Sequence, residues 1–154
     1  MKRVLILGAG LVVKPMVEYL LEHGFGLTIA TTTKEKGDRM IKGHPGGKAM
    51  RWSTEETGVL ENLVDEHDIA VSFLPYRHHV LVAKTCIRHR KPLVTTSYVQ
   101  PEMQALDSAA KGAGVLLLNE AGLDPGIDHM TAMKIIDHVH AKNGKIEEFY
   151  SLCG

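Results

Sequence analysis

The sequence predicts an α/β fold built on a doubly wound parallel sheet. Three observations carry that prediction. Short apolar runs without alternation recur along the chain, as strands buried on both faces of a parallel sheet require. Segments with apolar residues at helical spacing separate them. A turn holding Gly8 and Gly10 joins the first run to the first helical segment. Repeated β-α units with right-handed crossovers give a sheet of the Rossmann type.

Arg3 to Leu7 is the first buried strand and ends at Gly8. Pro15 to His23 follows as a helix, with Met16, Val17, Leu20 and Leu21 on one face and Gly24 where a helix stop belongs. Leu27 to Thr31 reads as a second strand, and Ala49 to Trp52 as a third after the loop His44-Pro45-Gly46-Gly47. Ser53 with Glu56 makes a capping box ahead of a helix whose face is Val59, Leu60, Leu63 and Val64. Ile69 to Leu74 is another buried strand, followed by a helix over Val80 to His89 and a strand over Leu93 to Thr96. A helix opened by Pro101 and a strand over Val115 to Leu118 complete the alternation. After Leu118 the character changes: a loop rich in glycine, proline and acids leads into a helical pattern of Ala132, Ile135, Ile136 and Val139. The division falls there, with residues 1–118 as one domain and 119–154 as the linker, helix and strand (Ile146 to Leu152) that begin a second.

Composition narrows the class of function. At 154 residues, 44% apolar and 23% charged, the chain is an ordinary globular one. Lysine plus arginine equal aspartate plus glutamate at 18 each, so no basic stripe serves a nucleic acid. Met-Lys-Arg before Val4 to Val13 copies the start of a secretory signal, but Lys14-Pro15 stands where a small-residue cleavage site belongs and no run is long enough to span a bilayer. A cytoplasmic address without a membrane partner is expected. Cys86 and Cys153 lack paired spacing and read as reduced thiols, Cys86 in a helix core and Cys153 free to face a site. Nine histidines invite a metal reading. Neighbouring or i,i+2 pairs such as His78-His79 do not face one another on a helix, so none is expected.

Backbone N–H groups of a glycine turn, together with the positive end of the helix it opens, suit the pyrophosphate of a dinucleotide. Gly8, Gly10, Leu11 and Val12 are the candidate residues, and Val13 replaces the third glycine of the usual pattern. An acid about 20 positions past the glycines would hold the ribose 2′-OH of NAD. Here Thr31, Thr32, Thr33 and Lys34 stand there instead, hydroxyls and a cation suited to a 2′-phosphate, so NADP(H) is favoured and NAD(H) stays open. Leu74-Pro75 and the hydroxyl run Thr95 to Tyr98 lie at the carboxyl edge of the sheet, where ligands bind, which adds Leu74, Pro75, Ser97 and Tyr98. Asp124, Asp128 and His129 form a cluster denser in titratable groups than a loop needs, with N-capping of the next helix by either aspartate as the plainer reading.

Gly8-Ala9-Gly10 with Lys14-Pro15, Leu74-Pro75-Tyr76, Val82-Ala83-Lys84, Thr96-Ser97-Tyr98-Val99, Gly122-Leu123-Asp124-Pro125-Gly126-Ile127-Asp128-His129-Met130 and Cys153-Gly154, taken in order, resemble the glutamate-forming saccharopine dehydrogenases, also called saccharopine reductases. The resemblance covers the chain but only the first part of the family's enzyme, which continues into a large substrate and dimerisation domain. It departs at Thr32, where related reductases often have an arginine, and at Leu152, where an aromatic often precedes the cysteine. It implies an NADP(H)-dependent oxidoreductase acting on a C–N bond in lysine metabolism, with a small amino-acid substrate and a homodimeric full-length enzyme. Tyr98, Asp124 and Cys153 would surround a proton-relaying water, with Asp128 and His129 toward substrate. A related imine reductase such as carboxynorspermidine dehydrogenase, or a nucleotide-binding domain without catalysis of its own, would share these features.

Overall fold

The computed structural model describes residues 1–152. A single six-stranded sheet forms the centre, all parallel, in the order β3-β2-β1-β4-β5-β6. In sequence the elements are β1 (Arg3–Leu7), α1 (Lys14–Glu22), β2 (Gly26–Thr31), α2 (Lys34–Ile41), β3 (Gly47–Arg51), α3 (Thr57–Glu66), β4 (Ile69–Ser72), α4 (His79–Arg88), β5 (Leu93–Thr95), α5 (Pro101–Gln104), α6 (Asp107–Ala113), β6 (Leu117–Leu118) and α7 (Ile127–His140). The order reverses between β1 and β4, the switch point where open α/β sheets form a crevice above their carboxyl ends.

The absence of alternation in the strands has its expected cause, because both faces are covered. One apolar layer gathers Leu5, Leu7, Trp52, Leu60, Val64, Val82 and Leu93; the other gathers Val4, Ile6, Val13, Val17, Leu21, Ile29 and Val71. Val13, where a third glycine was missing, is fully buried in the second layer, so a side chain fills the space that the glycine pattern would leave for helix-strand contact.

Two expectations change and one element is added. Helix α2 forms over a segment to which the sequence assigns no element. Its segment is polar, and Gly37 in its middle weakens helix propensity, but a Cβ there would sit 2.7 Å from Ala49 Cβ, so the glycine lets α2 lie close on β3. Ser53 and Glu56 form only half of a capping box: Ser53 N–H donates to Glu56 Oε2 at 2.8 Å, and the helix starts later, at Thr57. The strand expected over Ile146 to Leu152 is not formed, since no partner strand is present among the described residues. Beyond the sheet, α7 leaves Met130, Met133 and Ile135 exposed.

Candidate functional site

A cleft of about 580 Å³ opens above the carboxyl ends of β1 to β4. Gly8 begins the turn that forms its floor. Its φ of +104° and the carbonyl oxygen of Phe73, 3.2 Å from where a Cβ would stand, both demand glycine. Its own N–H is used, donating to Ala30 O at 2.9 Å. Among the described residues, the next four amides, those of Ala9, Gly10, Leu11 and Val12, donate to nothing. The side chains of Leu11 and Val12 project into solvent, so any contribution they make to the cleft is through the backbone. A Cβ on Gly10 would meet nothing within 4 Å. The turn therefore presents successive free donors and open space at the start of α1, the arrangement that holds a pyrophosphate.

Thr31, Thr32, Thr33, Leu74 and Pro75 all line the cleft. Lys34 does not. It opens α2, and its ammonium donates to Asp38 Oδ2 at 2.6 Å, the i,i+4 partner that the helix creates. The cations in the wall are instead Lys36 and Arg51, neither of which the sequence singled out. Arg51 is brought there by register, as the residue paired with Thr31 across β2 and β3.

Ser97 sits apart from this cleft and accepts or donates at Nε2 of His79 (2.9 Å), whose Nδ1 lies 2.9 Å from Ser72 Oγ. His79 is buried and its pKa is lowered, first by that burial and then by its electrostatic interaction with the neighbouring His78. The ring thus ties the end of β4 to the segment that carries Tyr98. That segment is also knitted to the loop after β6: Ala121 N–H donates to Thr95 O at 3.0 Å, Thr95 Oγ1 to Asn119 Oδ1 at 2.9 Å and Val99 N–H to Glu120 Oε1 at 3.0 Å.

The stitching brings Tyr98 against Asp124, whose Oδ1 accepts the phenolic hydroxyl at 2.5 Å. This bond foremost, then desolvation and the charges of Asp124, Asp128 and Glu120, push the phenol up to about 12. Tyr98 is therefore a protonated donor at neutral pH. Asp128 Oδ1 accepts the Gly126 N–H at 2.9 Å and the His129 ring Nδ1–H at 2.8 Å, which raises the imidazole pKa. Desolvation opposes the Asp128 carboxylate, but these bonds outweigh it and keep its pKa below the ordinary value. The Tyr98 and His129 rings meet edge to face at 6.3 Å. Neither aspartate caps α7 in the expected way; its N-cap is Gly126, without a side-chain cap bond. Asp124, Asp128 and His129 bring ligand-type atoms within 4.8 Å of one another, but hydrogen bonds already engage all three. Cys153 lies outside the described residues; Cys86 is buried, its thiol pushed up to about 12 by desolvation.

Residues 4–118 match the family model described as saccharopine dehydrogenase NADP binding domain, and residues 122–154 match that of the saccharopine dehydrogenase C-terminal domain. The chain belongs to the saccharopine dehydrogenase family. It is 43% identical over 153 residues to saccharopine dehydrogenase [NADP(+), L-glutamate-forming] of Pyricularia oryzae, covering 99% of this chain and 34% of that protein. Alpha-aminoadipic semialdehyde synthase of Arabidopsis thaliana is 38% identical over 98% of the chain, which is 16% of its own length. The solved apo saccharopine dehydrogenase (L-Glu forming) from Saccharomyces cerevisiae superposes with a TM-score of 0.86 at 35% identity, over 96% of this chain and 33% of that one. The chain thus spans about a third of the length of these saccharopine dehydrogenases. Shikimate dehydrogenase of Mycobacterium tuberculosis, at 20% identity and a TM-score of 0.59, shares the fold alone. The Gly8 cleft and the Tyr98-Asp124 pair both lie beyond the carboxyl ends of the strands, the first above β1 to β4 and the second after β5 and β6. Among the described residues, no helix is long and apolar enough to cross a membrane.

Proposed function

We propose that this chain holds NADP(H) on the Gly8 to Val12 turn and supplies the proton-handling edge of a saccharopine dehydrogenase. The observation that carries the reading is the row of four free amides over the open space at Gly10, at the switch point of the sheet. The reaction belongs to the complete enzyme. There, 2-aminoadipate semialdehyde and glutamate condense to an imine with loss of water, and addition of hydride and a proton across C=N yields saccharopine; oxidation runs the same steps in reverse. NADPH supplies the hydride when bound. The chain's own residues handle protons and charge. Tyr98 and Asp124 form a donor-acceptor pair able to pass a proton to or from a water at the reacting nitrogen or carbonyl oxygen. Cys153 is assigned to the same shell on sequence grounds. His129, made more basic by Asp128, suits a substrate carboxylate. A cytoplasmic location rests on the sequence features given above, and a homodimer for the complete enzyme on the family resemblance.

For the chain alone we propose cofactor binding without turnover, because Tyr98 is 51% exposed and its cleft opens to solvent. The test is a fluorescence titration of NADPH against wild type and Gly10→Ala. The wild type should bind, and the added methyl group, which meets no protein atom, should weaken binding roughly tenfold or more by crowding the pyrophosphate. Equal affinities would remove the turn from the site. Turnover of saccharopine by the chain alone would overturn the second proposal.

A further inference from the structure

We infer that Lys36 and Arg51, two cations from different elements, read the 2′-phosphate of NADP(H) in this chain. The inference rests on the cofactor cleft proposed above and assigns the part of it that sets specificity. A 2′-phosphate belongs at the end of β2, beyond the adenosine ribose, where NAD-binding folds place an acid. Thr31, Thr32 and Thr33 occupy that edge. They supply hydroxyls but no charge to meet a dianion. The nearest cation in sequence, Lys34, already holds Asp38 at 2.6 Å and is absent from the wall.

Two other cations face the space. Lys36 reaches it from the first turn of α2, and Arg51 from the last position of β3. The strand register places Arg51 directly beside Thr31, so its side chain approaches the β2 edge from across the sheet. Neither cation has an ion-pair or hydrogen-bond partner among the described residues. Every other lysine or arginine that might be drawn toward this edge is committed elsewhere or lies outside the wall: Lys42, for example, pairs with Glu18 at 2.8 Å. The acid in the same wall is Glu55, on the turn after β3, so two cations face one carboxylate and the edge is net positive. An arginine fork and an ammonium on opposite sides of a phosphate form charge-assisted bonds that a free ribose hydroxyl would not return.

The test compares NADPH with NADH by fluorescence titration of the 154-residue chain, its Arg51→Met and Lys36→Met variants, and Lys34→Met. Wild type should prefer NADPH, with that preference shrinking as salt is raised. Arg51→Met should weaken NADPH roughly tenfold or more, and Lys36→Met by a smaller factor, both lowering the NADPH-to-NADH affinity ratio. A wild-type melting temperature certifies that each variant is folded; if Arg51→Met fails that control, Lys36→Met and the salt dependence decide. Lys34→Met should leave the NADPH-to-NADH ratio as it is. NADPH binding with a ratio indifferent to both Arg51→Met and Lys36→Met would overturn this inference and spare the cofactor cleft, whereas failure to bind either nucleotide would overturn both.

Discussion

Tyr98 donates its hydroxyl to Asp124 Oδ1 at 2.5 Å, across 26 residues of sequence, and the carboxylate keeps that phenol protonated up to about pH 12. A charge-neutral acceptor in place of Asp124 would still accept the bond but would lose the charge that opposes phenolate formation.

Asp124→Asn should therefore bring the Tyr98 phenol down from about 12 toward its ordinary value. A spectrophotometric titration of phenolate, with Tyr98→Phe subtracted to isolate this tyrosine, reads the shift directly. Thermal stability should barely change, since Asp124 does not cap α7. In the complete enzyme, turnover should fall roughly 10²-fold with NADPH affinity retained. An Asp124→Asn phenol that titrates like the wild type would show that the carboxylate does not govern it.

Gly8→Ala should destabilise the fold by roughly 1–3 kcal/mol, because a methyl group would be forced into φ +104° and against Phe73 O. Urea unfolding measures the loss. The contrast with Gly10→Ala matters: that variant should unfold with wild-type stability. A Gly8→Ala protein as stable as wild type would mean that the turn relaxes freely.

His89 staples α3 to α4, with Nε2 at 2.5 Å from Glu61 Oε2 and Nδ1 at 3.1 Å from Asp65 Oδ1. Its pKa is raised, first by the Glu61 bond. A raised folded-state pKa means stability that is fully present below the unfolded value near 6.5 and is lost as pH rises through the folded value. Because the pair is partly exposed, the size should be modest and screened by salt. His89→Gln should flatten the decline of stability above neutral pH; an identical pH profile in the variant would rule out the staple as its source.

His79 works with the opposite sign. Burial lowers its pKa, so its contribution is present above the unfolded value near 6.5 and is lost as pH falls through the folded one. His79→Ala should cost roughly 1–3 kcal/mol by leaving the Ser72 and Ser97 hydroxyls without their shared partner. It should also loosen the Tyr98 segment, seen as faster amide exchange around Val99. Unchanged stability together with unchanged exchange would show that the ring only fills space.

Much of this architecture is written in short-range patterns. The run Arg3 to Leu7, the glycines after it and the 3.6-residue spacing of Val17, Leu20 and Leu21 depend on neighbours a few positions apart, so strand, turn and helix are legible there without coordinates. Helix α2 escapes because its residues are polar and because Gly37, a helix weakener in isolation, serves a contact with Ala49 on a strand not yet placed. The strand expected over Ile146 to Leu152 errs the other way: β-propensity alone does not make a strand where no partner lies alongside.

Residue type and order decided that this chain forms a parallel α/β sheet with a glycine turn at its switch point, and singled out Tyr98 and Asp124, which the fold brings into hydrogen-bond contact. Which charges face the cleft was decided only by folding. Lys34 is the natural reading along the sequence, yet the helical turn hands it to Asp38, while the β2-β3 register carries Arg51 to Thr31 from 20 positions away. The physical reason is the range of the interactions. Periodicity is a property of adjacent residues, whereas a side chain's partner depends on strand order and register, which are fixed by burying both faces of the whole sheet at once.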